Sequence, residues 1–152
     1  MGNLHQCLNP AWVGLVQVVA AVVCGTIVGV ERRARHKPAG MRTVTLICLG
    51  STVFTMSSIL LAGGDGDPGR VAAQVVTGIG FLGAGAIIRE GGTVIGLTTA
   101  ATIWVVAAIG VLIGAGYVVP AVGLSLLVFG LLRCHGRLES ADGDSSGPPG
   151  LP

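Results

Sequence analysis

Two long stretches without a charged residue decide what this chain can fold into. One runs from Val71 to Ile88, and the other runs from Gly91 to Leu132. Only 11% of the chain is charged and its mean hydropathy is +0.81, whereas globular chains are about 25% charged. A soluble domain could not cover itself with so few charges, so we predict that these stretches lie in a lipid bilayer.

The second stretch is too long for one membrane span. We divide it at GAGYVVP, where two glycines loosen a helix and Pro120 suits the first turn of the next one. A helix of about 18 residues rises about 27 Å, close to the thickness of a bilayer core. The predicted fold is an all-α integral membrane bundle of about five transmembrane helices, with a short N-terminal segment at 1–11, spans at 12–30, 43–62, 71–88, 97–113 and 118–132, and a disordered cytoplasmic tail at 133–152.

The third span contains GIGFLGAG, whose first six residues match the G-x-G-x-x-G fingerprint of dinucleotide-binding turns. That fingerprint needs a preceding strand and an acidic residue about 20 positions later, but the chain around Ala100 reads TTAATIW. A sheet edge in lipid would also leave its backbone groups unsatisfied. We therefore predict that these glycines lie in a helix and that the protein binds no dinucleotide or other cofactor.

Small residues recur at helical spacing, which favours close packing of membrane helices. On the third span they form a small-residue stripe, which we predict to contact another helix of the bundle while Ile79 lies on a different face. The stripe consists of Ala73, Thr77, Gly80 and Ala84, with Gly83 beside it. Similar pairs are Gly25 with Gly29, Ala100 with Ala107, and Ala101 with Ala108.

Basic residues predict the orientation, because loops rich in Lys and Arg stay in the cytoplasm. The first loop carries five, the third loop one and the tail two, so a five-span chain has eight on one side and only Arg70 on the other. We therefore predict an outside N-terminus and a cytoplasmic tail. The eight residues are Arg32, Arg33, Arg35, Lys37, Arg42, Arg89, Arg133 and Arg137.

Carboxylates near the ends of the spans suggest two further features. Glu31 is predicted to pair with Arg35 or Arg42, because an ionisable residue at membrane depth needs a partner. Asp67 is expected to cap the third span ahead of Pro68. Alternatively, Asp65 and Asp67 form a weak site for a divalent cation at the outer mouth.

Polar residues inside the spans are interpreted as contacts between helices. They are expected to face the interior of the bundle. Thr98 or Thr99 is predicted to cap the fourth span, and Gln74 and Thr77 are predicted to form hydrogen bonds across helices. The full set is Gln74, Thr77, Thr98, Thr99 and Thr102. The cysteines are predicted to be buried thiols in helices rather than a disulfide framework or a metal site, since no C-x-x-C pair occurs. No nucleophile, base and acid stand together, and the histidines are scattered, so we do not expect an enzyme.

Three long motifs resemble the membrane domain of the MgtC/SapB family: ER…KPAGMRT, GIGFLGAGAI and GLTTAA. The resemblance extends from about Gly25 to Tyr117 and implies a bacterial inner-membrane protein linked to growth in low magnesium, ion homeostasis and virulence. Some members of the family are linked to inhibition of the F-type ATP synthase, so the resemblance also implies this enzyme as a partner. The signature positions are Glu31, Arg32, Lys37, Pro38, Gly40, Arg42 and Thr43, then Asp67, Arg70, Gly78, Gly80, Gly83 and Gly85, then Gly96, Leu97, Thr98 and Thr99.

Two departures accompany the resemblance. Val44 stands where family members often carry His, and longer members continue into an ACT-type domain that we expect to be missing here. The leading hypothesis is a non-enzymatic modulator that contacts the bilayer and another membrane protein or itself, without nucleic acid. The alternative is a transporter or channel for a cation such as Mg²⁺, with Asp65 and Asp67 outside and Glu31 inside.

Overall fold

The computed structural model describes residues 10–61, 67, 69–90 and 92–143, and within them the predicted all-α membrane bundle is confirmed. Five helices follow one another along the chain, and one short hairpin separates the third from the fourth. The elements are α1 (Pro10–Ala34), α2 (Met41–Leu61), α3 (Gly69–Gly85), β1 (Ile88–Glu90), β2 (Thr93–Ile95), α4 (Leu97–Gly114) and α5 (Val118–Gly143).

Three helices are long and apolar enough to cross a bilayer, namely α1 from Trp12, α2 and α4. The other two fall short of that length: α3 has 17 residues, and the apolar part of α5 covers Val118–Cys134. The five predicted spans therefore correspond to five observed helices, although the third and fifth are the shortest apolar segments.

The hairpin corrects the predicted end of the third span. α3 ends at Gly85 rather than Ile88, and β1 pairs with β2 in an antiparallel register that places Ile88 opposite Ile95. Gly92 and Gly96 have positive φ angles, which a residue with a side chain rarely adopts. A Cβ on Gly96 would also collide with the carbonyl oxygen of Ala86. These glycines permit a turn where apolar composition alone suggested more helix.

The predicted disordered tail also needs correction. α5 does not stop at Leu132 but continues to Gly143. The remaining tail, 144–152, lies outside the described residues, as do the N-terminal residues 1–9.

α1, α2 and α4 form the centre of the bundle, with α1 packing on α2, α4 and α5. α3 is peripheral and packs on α2 and α4. The core consists of aliphatic and small side chains, including Val28, Val44, Val106, Ile109 and Ile113. Because the buried side chains of the described residues include no large ring, the helices approach one another closely.

Close approach is clearest at two glycine pairs. A Cβ on Gly25 would lie 2.7 Å from the Cα of Thr45, and one on Gly29 would lie 2.7 Å from the Cα of Met41. The predicted role of this pair, in a close contact between helices, is confirmed at the contact of α1 with α2. A second pair, Gly110 and Gly114, was not singled out in the sequence, yet it lets α4 press against the backbone of α2 at Cys48 and Thr52.

The alanines proposed for α4 share that role only in part. Ala107 is buried, whereas Ala101 is exposed and Ala100 is half-buried. The α2-facing side of α4 is the side of Gly110, which lies one helical turn from Ala107, whereas Ala101 lies on a different side.

Two helices end in the same backbone arrangement. At the end of α1, His36 donates its N–H to the carbonyl of Arg33, and Lys37 donates to the carbonyl of Arg32. This is the Schellman pattern, which normally places glycine in the left-handed conformation. α4 follows the rule with Gly116, but α1 uses His36, with a φ of 52°.

Cysteines are free wherever the structure describes them. Cys24 and Cys48 are buried in helices, as predicted, whereas the prediction is wrong for Cys134, which is exposed. Cys7 lies outside the described residues.

Candidate functional site

A buried arginine links two helices at the end of the bundle that carries the α1–α2 loop. Arg32 is only 1% exposed, and its Nη2 donates a hydrogen bond of 2.6 Å to the hydroxyl of Thr99. Its Nε has no hydrogen-bond partner among the described residues. Burying a charged group is costly unless it is paired, so Thr99 at the start of α4 is a key neighbour of this side chain.

Glu31 supplies the negative charge beside it. The carboxylate is 3% exposed and forms an ion pair with Nε of Arg35 at 2.5 Å. The predicted Glu31–Arg35 pair is thus confirmed, whereas Arg42 is exposed and is not its partner. The pair is close but poorly aligned, because neither carboxylate oxygen makes a hydrogen bond within the described part of the chain.

Arg35 connects the end of α1 to α5. Its Nη2 donates to the backbone carbonyl of Arg133 at 3.0 Å. The polar cluster, defined here as Glu31, Arg32, Arg35 and Thr99, therefore joins the end of α1 to α4 and α5. It contains two positive charges and one negative charge, and its one hydroxyl, on Thr99, accepts the hydrogen bond from Arg32.

A second buried polar contact was missed in the sequence. Gln17 donates from Nε2 to the carbonyls of Ile113 and Gly114, at 2.8 and 3.0 Å. These carbonyls belong to the last turn of α4, where helices lack internal donors. The available signal was a single amide within an otherwise apolar span.

The capping prediction holds for α3 but not for α4. Oδ1 of Asp67 accepts a hydrogen bond of 2.8 Å from the N–H of Gly69, as expected at a helix start. α4 instead begins after Gly96, with no side-chain cap. Thr98 is exposed, and Thr99 is occupied by Arg32.

The two candidate metal ligands are not brought together in the part that the structure describes. Asp67 is exposed and serves as the cap, whereas Asp65 lies outside the described residues. Among the described residues, no group of three or more His, Cys, Asp or Glu side chains is placed to hold a metal ion.

The small-residue stripe on α3 does not face the bundle, contrary to prediction. Its four members are all exposed, and a Cβ added to Gly80 would meet nothing within 4 Å. The buried residues of α3 are instead Ile79 and Gly83, and Gly83 lies near Ala100 of α4. The prediction was wrong because α3 contacts α4 through a different face of α3, the face of Ile79 and Gly83.

Polar residues on α3 likewise do not bond across helices. Thr77 donates its hydroxyl hydrogen to the carbonyl of Ala73 in its own helix. Gln74 is exposed and makes no interhelical hydrogen bond within the described part of the chain.

A large apolar groove lies between α2 and α3, with a volume of about 1050 Å³. Several signature residues of the first loop and of the glycine run line it: Pro38, Arg42, Thr43, Gly78 and Gly85. The other signature residues lie elsewhere. Lys37 and Arg70 are exposed, and Gly40 is half-buried.

Comparisons with known proteins agree on one family. A model of the MgtC family matches residues 18–141. The chain is 52% identical over 101 residues to Protein MgtC of Brucella abortus (strain 2308), which covers 66% of this chain and 42% of that protein. It is 46% identical over 114 residues to Protein MgtC of Salmonella typhimurium (strain 14028s / SGSC 2262), covering 75% and 48%. The chain thus spans less than half the length of these relatives. No solved structure matches it significantly.

Proposed function

This chain belongs to the MgtC family, and from that premise we propose that it is a non-enzymatic modulator of another membrane protein. We infer from the resemblance that this modulator acts in the bacterial inner membrane, with a link to magnesium-limited growth, ion homeostasis and virulence. The F-type ATP synthase is the partner that the resemblance implies. The relatives are longer than this chain, so the proposal concerns the membrane region.

The exposed small-residue stripe carries the proposal. Elsewhere in the protein, glycines at this spacing bring two backbones together, as Gly25 and Gly29 do between α1 and α2. On α3, Ala73, Thr77, Gly80 and Ala84 repeat the pattern on a face that no described helix covers. In a bilayer, where lipid is as apolar as leucine, such stripes favour close association with another helix.

The chemistry of the interior supports a non-enzymatic role. Several buried polar side chains bond to another helix, as Arg32 does to Thr99, Gln17 to Ile113 and Thr52 to Gly110. Acyl, phosphoryl or proton transfer would need a positioned nucleophile, base or acid facing a pocket. The groove between α2 and α3 is lined mainly by apolar residues and glycines, with Arg42, Thr43, Ser51 and Gln74 as its polar members.

Photocrosslinking in the native membrane tests the proposed surface. A photoreactive residue at Thr77 should capture a membrane protein, and the same residue at Val19, exposed on α1, should not. Gly80→Leu should abolish capture, because the side chain blocks close approach. It should leave the melting temperature of the purified protein unchanged, since that position is open. Capture of lipid alone from Thr77 would contradict the proposal.

The alternative, a cation transporter or channel, makes a different prediction. Liposomes that contain only the purified protein should then pass Mg²⁺ down its gradient. We expect no flux above that of empty liposomes, with or without a membrane potential. Sustained flux, especially flux lost in Asp67→Asn, would replace the modulator proposal with the transporter.

A further inference from the structure

The groove between α2 and α3 has the length of a single bilayer leaflet. Along α2 it extends from Arg42 to Phe54, which corresponds to about 18 Å of helix. One leaflet contributes about 15 Å of hydrocarbon, half of a core about 30 Å thick. Most of the wall is apolar over this distance, with Leu46, Ile47 and Leu82 among its side chains, and Thr43, Ser51 and Gln74 also line it. A groove of this kind accommodates an extended hydrocarbon chain.

Glycines deepen the groove on both walls. Gly50 lies on the α2 side and Gly78 on the α3 side, and a Cβ added to either would meet no atom within 4 Å. The space between the helices is therefore open at its middle, where side chains would otherwise fill it. The centre of the small-residue stripe lies about 130° around α3 from the centre of the groove, and Ala84 is the stripe residue that also borders the groove.

One end of the groove is positively charged. Arg42 is exposed and lines the end next to Pro38 and Ala39. It belongs to the first turn of α2, which contains no acidic residue. The first internal bond there runs from Val44 to Gly40, so the N–H groups of residues 41–43 lack helical acceptors. A guanidinium and the positive end of a helix dipole thus share this end.

We propose that this groove binds one anionic phospholipid, with an acyl chain between α2 and α3 and the phosphate beside Arg42. The apolar wall recognises the chain, and the basic end selects the negative headgroup over a zwitterionic one. An anion there also offsets the unfavourable placement of Arg42 at a helix N-terminus. This inference does not depend on the proposed function, because it concerns a different face of α3 and a lipid rather than a protein.

Native mass spectrometry of the detergent-purified full chain tests the proposal. The protein is titrated with dioleoyl phosphatidylglycerol or dioleoyl phosphatidylcholine, which share their acyl chains. We expect one retained phosphatidylglycerol, bound about fivefold more tightly than phosphatidylcholine, in line with a single basic residue near the phosphate. Arg42→Gln should remove this selectivity. Arg33→Gln, an equal charge change on the exposed side of α1, should preserve it.

A second pair of variants tests the groove itself. Gly78→Leu fills the open middle without a clash, and it should abolish retention of both lipids while the melting temperature of the lipid-free protein is maintained. Gly123→Leu introduces the same side chain at an open, exposed position on α5 and should change nothing. Equal binding of the two lipids, or unchanged binding in Gly78→Leu, would overturn the proposal.

Two other occupants are also distinguished. Displacement of the lipid signal by inorganic phosphate at similar concentration would mean that the basic end binds a free anion, contrary to the proposal. A lipid-free dimer that is lost in Gly78→Leu would assign the groove to a second copy of the chain and would likewise overturn it.

Discussion

Arg32 is the side chain whose environment is most demanding. It is nearly inaccessible, and Thr99 is the hydroxyl that receives its hydrogen bond. Among the described residues, Glu31 supplies the negative charge that acts on it, and Glu31 also pairs with Arg35. A buried charge that loses a partner keeps its full desolvation cost. The contact between Arg32 and Thr99 should therefore contribute substantially to holding α1 against α4.

Thr99→Val tests this contact, because it keeps the shape of the side chain and removes the acceptor. We expect the free energy of unfolding in detergent to fall by about 1–3 kcal/mol, since a buried guanidinium N–H is left unsatisfied. Thr98→Val is the matched control, since Thr98 is exposed and adjacent. Equal stability of the two variants would show that Arg32 does not depend on Thr99.

His36 offers a stabilising substitution. It occupies the left-handed position at the end of α1, which costs a residue with a side chain about 1–2 kcal/mol. His36→Gly removes this cost but adds about 0.5–1 kcal/mol of flexibility to the unfolded chain. The net gain should be about 0.5–1 kcal/mol, seen as a higher melting temperature. Lys37→Gly should give no gain, because Lys37 does not have a positive φ.

Sequence reasoning about side chains succeeded where partners are close along the chain. Glu31 and Arg35 are one helical turn apart, and the Asp67 cap contacts a residue two positions away. The contacts of Arg32 with Thr99 and of Gln17 with Ile113 join residues 67 and 96 positions apart. Such contacts depend on which helices become neighbours, which a residue pattern in one span does not specify.

Between helices, packing depends on a few glycines that face another backbone. Gly110 is among the most constrained of them, because a Cβ there would overlap the carbonyl of Cys48 and lie 2.7 Å from the Cβ of Ser51. Since the opposing atoms are mainly backbone, they cannot rotate away. α4 must therefore shift as a whole to admit a larger residue.

Gly110→Ala should consequently destabilise the bundle although alanine favours helices. Overpacking of this kind costs about 1–3 kcal/mol, which exceeds the propensity gain of up to about 1 kcal/mol. At Gly123 the added methyl meets open space, so Gly123→Ala should keep or slightly raise the melting temperature. A melting temperature for Gly110→Ala at or above that of the parent would contradict the close approach of α4 to α2.

The third helix shows the limit of pattern reading for elements. Small residues lie on the face of Gly80 and also on the faces of Gly78 and Gly83, so the spacing alone offered several contact faces. The structure selects the face of Ile79 and Gly83, because α4 is the neighbour on that side. The bilayer argument predicted that the glycine run is helical. Which face of that helix contacts the bundle depends on where the neighbouring helices lie.

For the whole molecule, the lengths of the apolar stretches predicted the positions of all five helices. The orientation of the bundle in the membrane was predicted from the basic residues alone. Every predicted span overlaps an observed helix. The hairpin was missed because its strands are short and it depends on the conformations of Gly92 and Gly96. Packing between helices does not itself specify which end of the bundle faces the cytoplasm, so the distribution of basic residues is the physical argument for orientation.

Thiol labelling tests that orientation with the native cysteines. Cys24 and Cys48 are buried, and Cys134 is exposed at the end of the apolar part of α5. Five crossings place Cys7 and Cys134 on opposite sides, and the basic first loop places Cys134 in the cytoplasm. A membrane-impermeant maleimide should therefore label Cys7 in intact cells and reach Cys134 only in inside-out vesicles. Cys7→Ser should remove the signal from intact cells, and Cys134→Ser should remove the signal from vesicles. Labelling of Cys134 but not Cys7 in intact cells would show that the orientation is the reverse of the predicted one. Labelling of both cysteines from one side would show that the chain crosses the membrane an even number of times.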